Sequence, residues 1–457
     1  MRIPKYFFIG DGMKKFITSY FLTLCLIVSS LSFQSYCNTK EFNISKVKEN
    51  IEYLSSDTFK GRLTGTIENH RVAALIKEEF VKNGLAPFEG SYYQPFKVKY
   101  PKKLNEQPSI AIMDKDNKLI KTLEYGVNYK EDLLNFRNTE VSFTKEDLVT
   151  SGSGDVLYVK NDKGSIIFYT TNENDLSFRS SFVESSKQDL YIIVTKETIG
   201  ELSKYLEAGN SVYTYIPFKV DETSVNNVVG VLKGKDSSKP PLVFSCHFDH
   251  LGMDLNSTIY RGALDNASGT AFVMELVKYI KALGTPDRDI IFAAFNAEEF
   301  GLLGSTAFVD QYASKLKGSK VYNFDMIGSY DGIPLCIMGG KNDTNETPFI
   351  KELTKNFEEE KIYFNYLFED ASDHAAFRSK GIDAVTLCDN DMNRIHTPKD
   401  RIEYISSDAI KRAFSVVNKE VTKNGFSSNL IYIYNKELLG ISLITSLFFI
   451  FVYKKIE

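Results

Sequence analysis

The chain has 457 residues, of which 43% are hydrophobic and 25% are charged, so it can bury the cores of two or three domains. These values exclude a disordered chain, a collagen-like fibre and a transporter with many membrane spans. The 55 Lys and Arg and the 59 Asp and Glu give a formal net charge of -4, which argues against nucleic acid as a partner.

The first 37 residues are predicted to be a signal peptide. Lys14 and Lys15 precede the short apolar run FITSYFLTLCLIVSSLSF, and a basic pair before such a run is typical of export signals. Ser35 and Cys37 are small enough for a cleavage site, so we expect the mature chain to begin at Asn38. The alternative is an uncleaved N-terminal membrane anchor.

Residues 38–96 are predicted to begin the folded body with two helices. Apolar residues recur at helical spacing from Ile44 to Leu54, and Asn43 before them is a good N-cap. A second helix is expected from about Glu68 to Asn83, where a glycine follows and ends it.

Residues 97–221 differ in character, which predicts a small α+β domain inserted into the chain. The β-like runs SIAIM, GDVLYV, SIIFYTT, DLYIIVT and SVYTYIPFKV are separated by polar turns. One helix is expected within TIGELSKYLEAG.

Residues 222–427 alternate between apolar strands and helices, which predicts an α/β fold. Strands are expected at NVVGVL, PLVFSCHF, DIIFAAFN, KVYNFDMI, PLCIM and AVTLC. Such strands form a mixed, mostly parallel sheet with helices on both faces. Ligands of these sheets bind at the carboxyl ends of the strands.

Residues 428–457 are predicted to be a C-terminal membrane anchor. The uncharged run from Leu438 to Tyr453 is slightly shorter than the about 20 residues that a typical membrane span needs. Lys454 and Lys455 follow this run, and positive charges favour the cytoplasmic side. We therefore expect an exported protein whose body lies on the outer side of the membrane, in the cell envelope. The alternative is an apolar helix packed on the body.

Histidines and carboxylates stand at the ends of successive predicted strands. They are His247, Asp249 and His250, then Asp265, then Glu298 and Glu299, then Asp325, and finally His396. Each motif alone has an ordinary explanation, such as a hydrogen bond, a helix N-cap or a surface charge. Their recurrence predicts convergence on one site. Histidine and carboxylate without thiolate suit Zn²⁺ or a similar divalent ion, and two ions could share a bridging carboxylate.

The chain resembles the di-zinc aminopeptidases in the order of its motifs HFDHLG, GALDNASGTA, FNAEEFGLLGS, NFDMIG, SDHAAF and HTPKD. The same superfamily holds glutamate carboxypeptidase, the transferrin receptor and glutaminyl cyclase. The resemblance covers about residues 40–95 and 222–425. It implies the zinc-exopeptidase fold and peptide substrates. It also places the insert where relatives carry a protease-associated domain, which covers the cleft.

The resemblance implies two zinc ions per chain. By position, His247 and Asp325 would complete one zinc site, and Glu299 and His396 the other. Asp265 would bridge both ions.

The resemblance also implies roles for residues beside the metals. Glu298 would be the general base, and Asp249 would orient His247. His374 in SDHAAF would contact the substrate or the transition state. His250 is predicted to be structural.

The leading functional hypothesis is therefore a metallo-aminopeptidase. The alternatives are a glutaminyl cyclase-like acyltransferase with one zinc ion and a non-catalytic envelope receptor of the same fold. The DNASG motif and the inserted domain favour the peptidase, and the complete ligand set argues against the receptor. Side-chain preference, and the choice between aminopeptidase, dipeptidase and carboxypeptidase, stay open at this stage.

Overall fold

A computed structural model describes residues 10–39, 41–150, 154–329 and 333–456. Residues 1–9 of the predicted signal peptide lie outside the described residues. The chain begins with α1 (Asp11–Asn38), α2 (Ile44–Leu54) and α3 (Ile67–Lys82). Asn43 caps α2 as predicted, because its side chain accepts the backbone N–H of Lys46 at 2.9 Å.

The largest sheet among the described residues is mixed and has nine strands. They are β1 (Ala86–Pro87), β2 (Tyr93–Lys103), β12 (Phe218–Leu232), β13 (Leu242–His247), β14 (Ile290–Phe295), β15 (Lys320–Phe324), β16 (Leu335–Gly339), β17 (Phe364–Phe368) and β18 (Asp383–Asp389). The order is β1-β12-β14-β13-β15-β18-β16-β17, and β2 pairs with β12. The neighbours β14, β13, β15 and β18 run parallel. The predicted α/β class is thus confirmed.

Helices cover both faces of this sheet because alternate strand residues face opposite sides. The helices are α5 (Gly269–Ala282), α6 (Leu303–Tyr312), α7 (Pro348–Glu359), α8 (His374–Arg378) and α9 (Ser407–Glu420). Phe244 packs in the core formed with α5, α7 and α9. Its neighbour Val243 packs in a second core, formed with α6 and α8.

The segment between β2 and β12 forms two smaller sheets. Its strands are β3 (Ser109–Met113), β4 (Leu119–Thr122), β5 (Tyr129–Phe136), β6 (Glu140–Phe143), β7 (Leu148–Thr150), β8 (Val156–Asn161), β9 (Gly164–Tyr169), β10 (Leu190–Val194) and β11 (Ser211–Tyr215). The helix α4 (Lys196–Glu207) lies among them. One sheet has the order β5-β10-β9-β8-β7 and the other β4-β3-β11-β6.

A long antiparallel ribbon joins these small sheets to the large one. In it, β2 and β12 pair continuously, from Phe218 with Lys103 to Val228 with Tyr93. The predicted boundaries after residues 96 and 221 both fall inside this ribbon. The division into domains stays a prediction.

The two ends of the chain form apolar helices that contact each other. After the short α10 (Leu430–Ile433), α11 (Asn435–Ile456) ends the described chain. By length and composition alone, α1 and α11 could each cross a membrane.

Candidate metal centre

The parallel strands bring the sequence-predicted residues to one edge of the sheet. His247 is the last residue of β13 and pairs with Phe295, the last residue of β14. Asp325 directly follows β15, and the loop after β18 carries His396. Because carboxyl ends of parallel neighbours meet at one edge, side chains far apart in sequence converge there.

Asp265 stands at the centre of the cluster, with one oxygen towards each predicted zinc site. Its Oδ1 is 3.4 Å from His247 Nε2, and its Oδ2 is 3.4 Å from His396 Nε2. On the first side, Asp325 Oδ1 is 3.3 Å from His247 Nε2. On the second side, Glu299 Oε2 is 3.3 Å from His396 Nε2. The structure therefore brings the five predicted ligands together.

The backbone around Asp265 is held by a buried carboxylate from the HTPKD motif. The Asp400 side chain accepts the backbone N–H groups of Leu264 and Asp265 at 2.8 and 3.0 Å. Burial raises the pKa of Asp400 to about 6. No role was predicted for Asp400 from the sequence, although HTPKD is one of the motifs that carry the resemblance.

A kink after β14 turns the two adjacent glutamates towards the cluster. Ala297 has a left-handed backbone with φ 59°, and the Asn296 side chain accepts its N–H at 2.9 Å. Asp249 then accepts the N–H groups of Glu298 and Glu299 at 3.1 and 3.2 Å. Such a backbone costs of order 1–3 kcal/mol, and these hydrogen bonds offset it.

Asp249 and Glu298 both lie beside the first predicted zinc site. Asp249 Oδ1 is 3.6 Å from His247 Nδ1, which is longer than a hydrogen bond, and this buried nitrogen has no hydrogen-bond partner among the described residues. Glu298 Oε2 is 3.9 Å from His247 Nε2. The distances place both residues next to His247, while their catalytic roles stay predictions.

The other two predicted histidines are placed very differently. His250, predicted to be structural, lies inside the cluster, and its Nδ1 is 2.9 Å from Glu299 Oε1. His374 is fully buried beside the cluster, with Thr386 Oγ1 at 2.8 Å from Nδ1 and the Glu369 carbonyl at 3.0 Å from Nε2. Since protein groups occupy both of its nitrogens, the structure does not bring His374 into the cluster.

Two further residues support the site and were missed by the sequence analysis. Ser372 donates to Asp325 Oδ2 at 2.8 Å. Arg62, fully buried, donates to the carbonyl groups of Phe248 and Gly262, both at 2.9 Å, and so ties together the loops on either side of the cluster. Hydroxyl and backbone contacts of this kind leave no spacing pattern in a sequence.

The charges in the cluster oppose one another strongly. Burial drives the pKa of Glu298 well above its usual range; the charge of His247 opposes this shift, and the charges of Asp325 and Glu299 add to it. Burial acts in the same direction on Glu299, but the positive charge of His396 and the hydrogen bond with His250 bring its pKa down to about 2. Neighbouring carboxylates outweigh burial at His247 and His396 and hold both pKa values well above the usual one. The cluster therefore favours positive charge at its centre.

The donor atoms form two groups of side chains that could each hold a metal ion. Ligand atoms of His247, Glu298 and Asp325 lie within 4.8 Å of one another, as do those of His250, Asp265 and Glu299. Nitrogen and oxygen donors without thiolate are the set that zinc accepts in catalytic sites. A cation can also replace the protons that the buried imidazoles would otherwise carry.

Comparison with known proteins finds similarity to peptidases. Residues 227–421 match the sequence profile of Peptidase family M28. Aminopeptidase YwaD of Bacillus subtilis (strain 168) is 27% identical over 317 residues, which make up 65% of this chain and 65% of that protein. The match thus spans slightly less than two thirds of the relative's length.

Two solved structures share the fold. BSAP, a zinc aminopeptidase from Bacillus subtilis, has a TM-score of 0.61 at 19% identity, over 84% of this chain and 95% of that one. The aminopeptidase from Aneurinibacillus sp. strain AM-1 has a TM-score of 0.59 at 19% identity, over 86% and 96%. These likenesses confirm the predicted fold.

Proposed function

Because residues 227–421 match the sequence profile of peptidase family M28, we propose that the protein is a zinc-dependent exopeptidase of that family that removes N-terminal residues from peptides. The observation that carries the proposal is Asp265, whose two oxygens face different histidines, each of which has its own carboxylate partner. That arrangement supports two ions sharing one bridging ligand.

The residues around the centre support hydrolysis by an activated water. Zinc would supply the Lewis acidity that polarises the scissile carbonyl and makes water a nucleophile near neutral pH. Glu298 would take the proton of the attacking water and pass it to the departing amine. Asp249 would keep His247 in the tautomer whose Nε2 faces the metal.

Two alternatives are less well supported. A glutaminyl cyclase-like acyltransferase would need one zinc ion, whereas the donors here form two groups. A non-catalytic receptor would not need a buried glutamate beside the metal ligands. Peptides with free and with blocked N-termini, assayed in parallel, separate the peptidase from both.

We expect two zinc ions per purified chain and loss of hydrolysis when they are removed. The five converging donors are the reason to expect zinc. Hydrolysis should be lost with the metal because bound zinc would polarise the scissile carbonyl and activate the water. Elemental analysis measures the zinc, and a chelator followed by added zinc tests reversibility. A chelated protein that still hydrolyses free N-terminal peptides at the original rate would contradict the proposal.

We also propose that α11 anchors the protein in a membrane with the body outside the cytoplasm. Its uncharged run, Leu438–Tyr453, ends at Lys454 and Lys455, whose charges favour the cytoplasmic side. The sequence alone left this helix either in the membrane or on the body. Most of its large apolar side chains are exposed, which supports the membrane.

Contacts between the two apolar helices support the second possibility for the N-terminus, an uncleaved anchor. Ser29 Oγ lies 2.8 Å from Ser442 Oγ, and the rings of Phe21 and Phe449 stack at 5.6 Å. These pairs make the helices antiparallel. Lys14 and Lys15 near the start of α1 therefore lie at the same end of the helix pair as Lys454 and Lys455 near the end of α11. One membrane orientation therefore satisfies both lysine pairs.

We expect the full-length protein to need detergent for extraction and to keep α1. The reason is that cleavage would remove the Ser29 hydroxyl and the Phe21 ring that contact Ser442 and Phe449, so α11 would lose its helix–helix packing. Fractionation and the intact mass of the purified chain measure both points. Recovery of the protein in the soluble fraction would exclude the membrane anchor. An intact mass that matches a chain beginning at Asn38 would show that the N-terminal segment is a cleaved signal peptide.

A further inference from the structure

Three successive charged residues of β5 are buried, although charges in a strand normally face solvent. Lys130, Glu131 and Asp132 are each at most 3% exposed. Their partners are three successive residues of the irregular stretch between β9 and β10. Lys130 donates to the Phe178 carbonyl at 2.6 Å, Glu131 pairs with Arg179 at 3.0 Å, and Asp132 accepts from Ser180.

This register fixes a segment, Phe178–Phe182, that reaches the candidate metal centre. The Ser181 hydroxyl donates to Glu299 Oε2 at 2.5 Å. The Phe182 N–H donates to the Glu299 carbonyl at 3.0 Å, and the Arg179 N–H donates to the His396 carbonyl at 3.0 Å. The Phe178 ring also lies against the His396 ring, at 6.1 Å between centroids.

All of these contacts fall on the two ligands assigned to the second zinc site. Because the proposed function places Glu299 and His396 there, the segment contacts one metal site and not the other. A carboxylate oxygen has two lone pairs, so Glu299 Oε2 can accept from Ser181 and still bind an ion. His250 holds the other oxygen, Oε1, at 2.9 Å, which fixes the carboxylate plane.

We propose that the insert is a positioning element for the second zinc site, and that Ser181 is its contact residue. The proposal rests on the proposed function and adds to it. A domain that only covered the cleft would need no hydrogen bond to a ligand. Here the buried charges of β5 hold the segment rigidly, and the segment orients Glu299 before any ion arrives.

The test is zinc affinity in Ser181→Ala, with Ser177→Ala as the matched control. Both substitutions remove a hydroxyl from the same stretch, but the Ser177 hydroxyl contacts only Asp175 among the described residues. Competition with a graded chelator, followed by elemental analysis, counts the ions retained at each step. Thermal unfolding of the zinc-free forms checks that both variants fold.

We expect Ser181→Ala to lower the zinc affinity of the second site by about 10–100-fold, the usual cost of losing a group that orients a ligand. The ion of that site should therefore be released to a weaker chelator than in the wild type. The ion of the first zinc site should be released as in the wild type. Ser181→Thr, which keeps a hydroxyl, should restore the zinc affinity of the second site. Ser177→Ala should match the wild type. Unchanged affinity for both ions in Ser181→Ala would overturn the inference while leaving the zinc peptidase intact. A wild-type chain without zinc would instead contradict the proposed function.

Discussion

Glu298→Gln should leave both zinc ions bound and lower peptide turnover by roughly 10²–10⁴-fold, the usual contribution of a general base. Glutamine keeps the shape and the backbone N–H that Asp249 accepts, but it cannot take a proton. The side chain is largely enclosed beside His247, so no solvent base can replace it easily. Steady-state kinetics together with elemental analysis measure the two effects separately.

The adjacent glutamate provides the matched control. Glu299→Gln removes one charge from the neighbouring position but changes a predicted ligand, so zinc should be lost from one site. The two variants should therefore separate turnover from metal content. If Glu298→Gln kept near-normal turnover, this residue would have no place in the mechanism. If both variants lost the same amount of zinc, Glu298 would be a ligand.

Asp265→Asn should have the largest effect on metal binding, because one carboxylate serves both sites. Its two oxygens lie 3.4 Å from different histidines, and an amide offers one weaker oxygen donor. Loss of a group that only orients a ligand lowers metal affinity by about 10–100-fold. We expect Asp265→Asn to lower the affinity for both zinc ions by more than this. Hydrolysis should fall with the zinc content.

Asp287→Asn is a suitable control for the loss of a buried carboxylate in the same domain. Asp287 lies before β14, at the end opposite the cluster, and accepts from Lys235 and the Ser428 backbone N–H. That variant should keep two zinc ions. Full retention of zinc in Asp265→Asn would contradict the bridging assignment.

Local patterns in the sequence predicted most of the large sheet and its helices. In the last helix of the large sheet, α9, apolar residues recur at helical spacing, and a turn of wider helix over Val421–Gly425 follows its end at Glu420. The strand β17 was missed because FNYLF, at the sheet edge, is only half-buried and carries no long apolar run. Edge strands bury one side at most, so their signal in sequence is weak.

The sequence by itself determined the class of the sheet and the strand ends that carry ligands. Strand periodicity is local, and the carboxyl ends of parallel strands lie at one edge of a sheet, so the sequence places His247 and Asp325 at that edge. The pairing of β13 with β15, which makes them neighbours, is a feature of the tertiary structure. The tertiary structure alone decided what surrounds them. Glu299 meets Ser181 across 118 residues of chain, and the buried charges of β5 look like surface residues until their partners are known. Such contacts depend on burial and direction, which no spacing along the chain encodes.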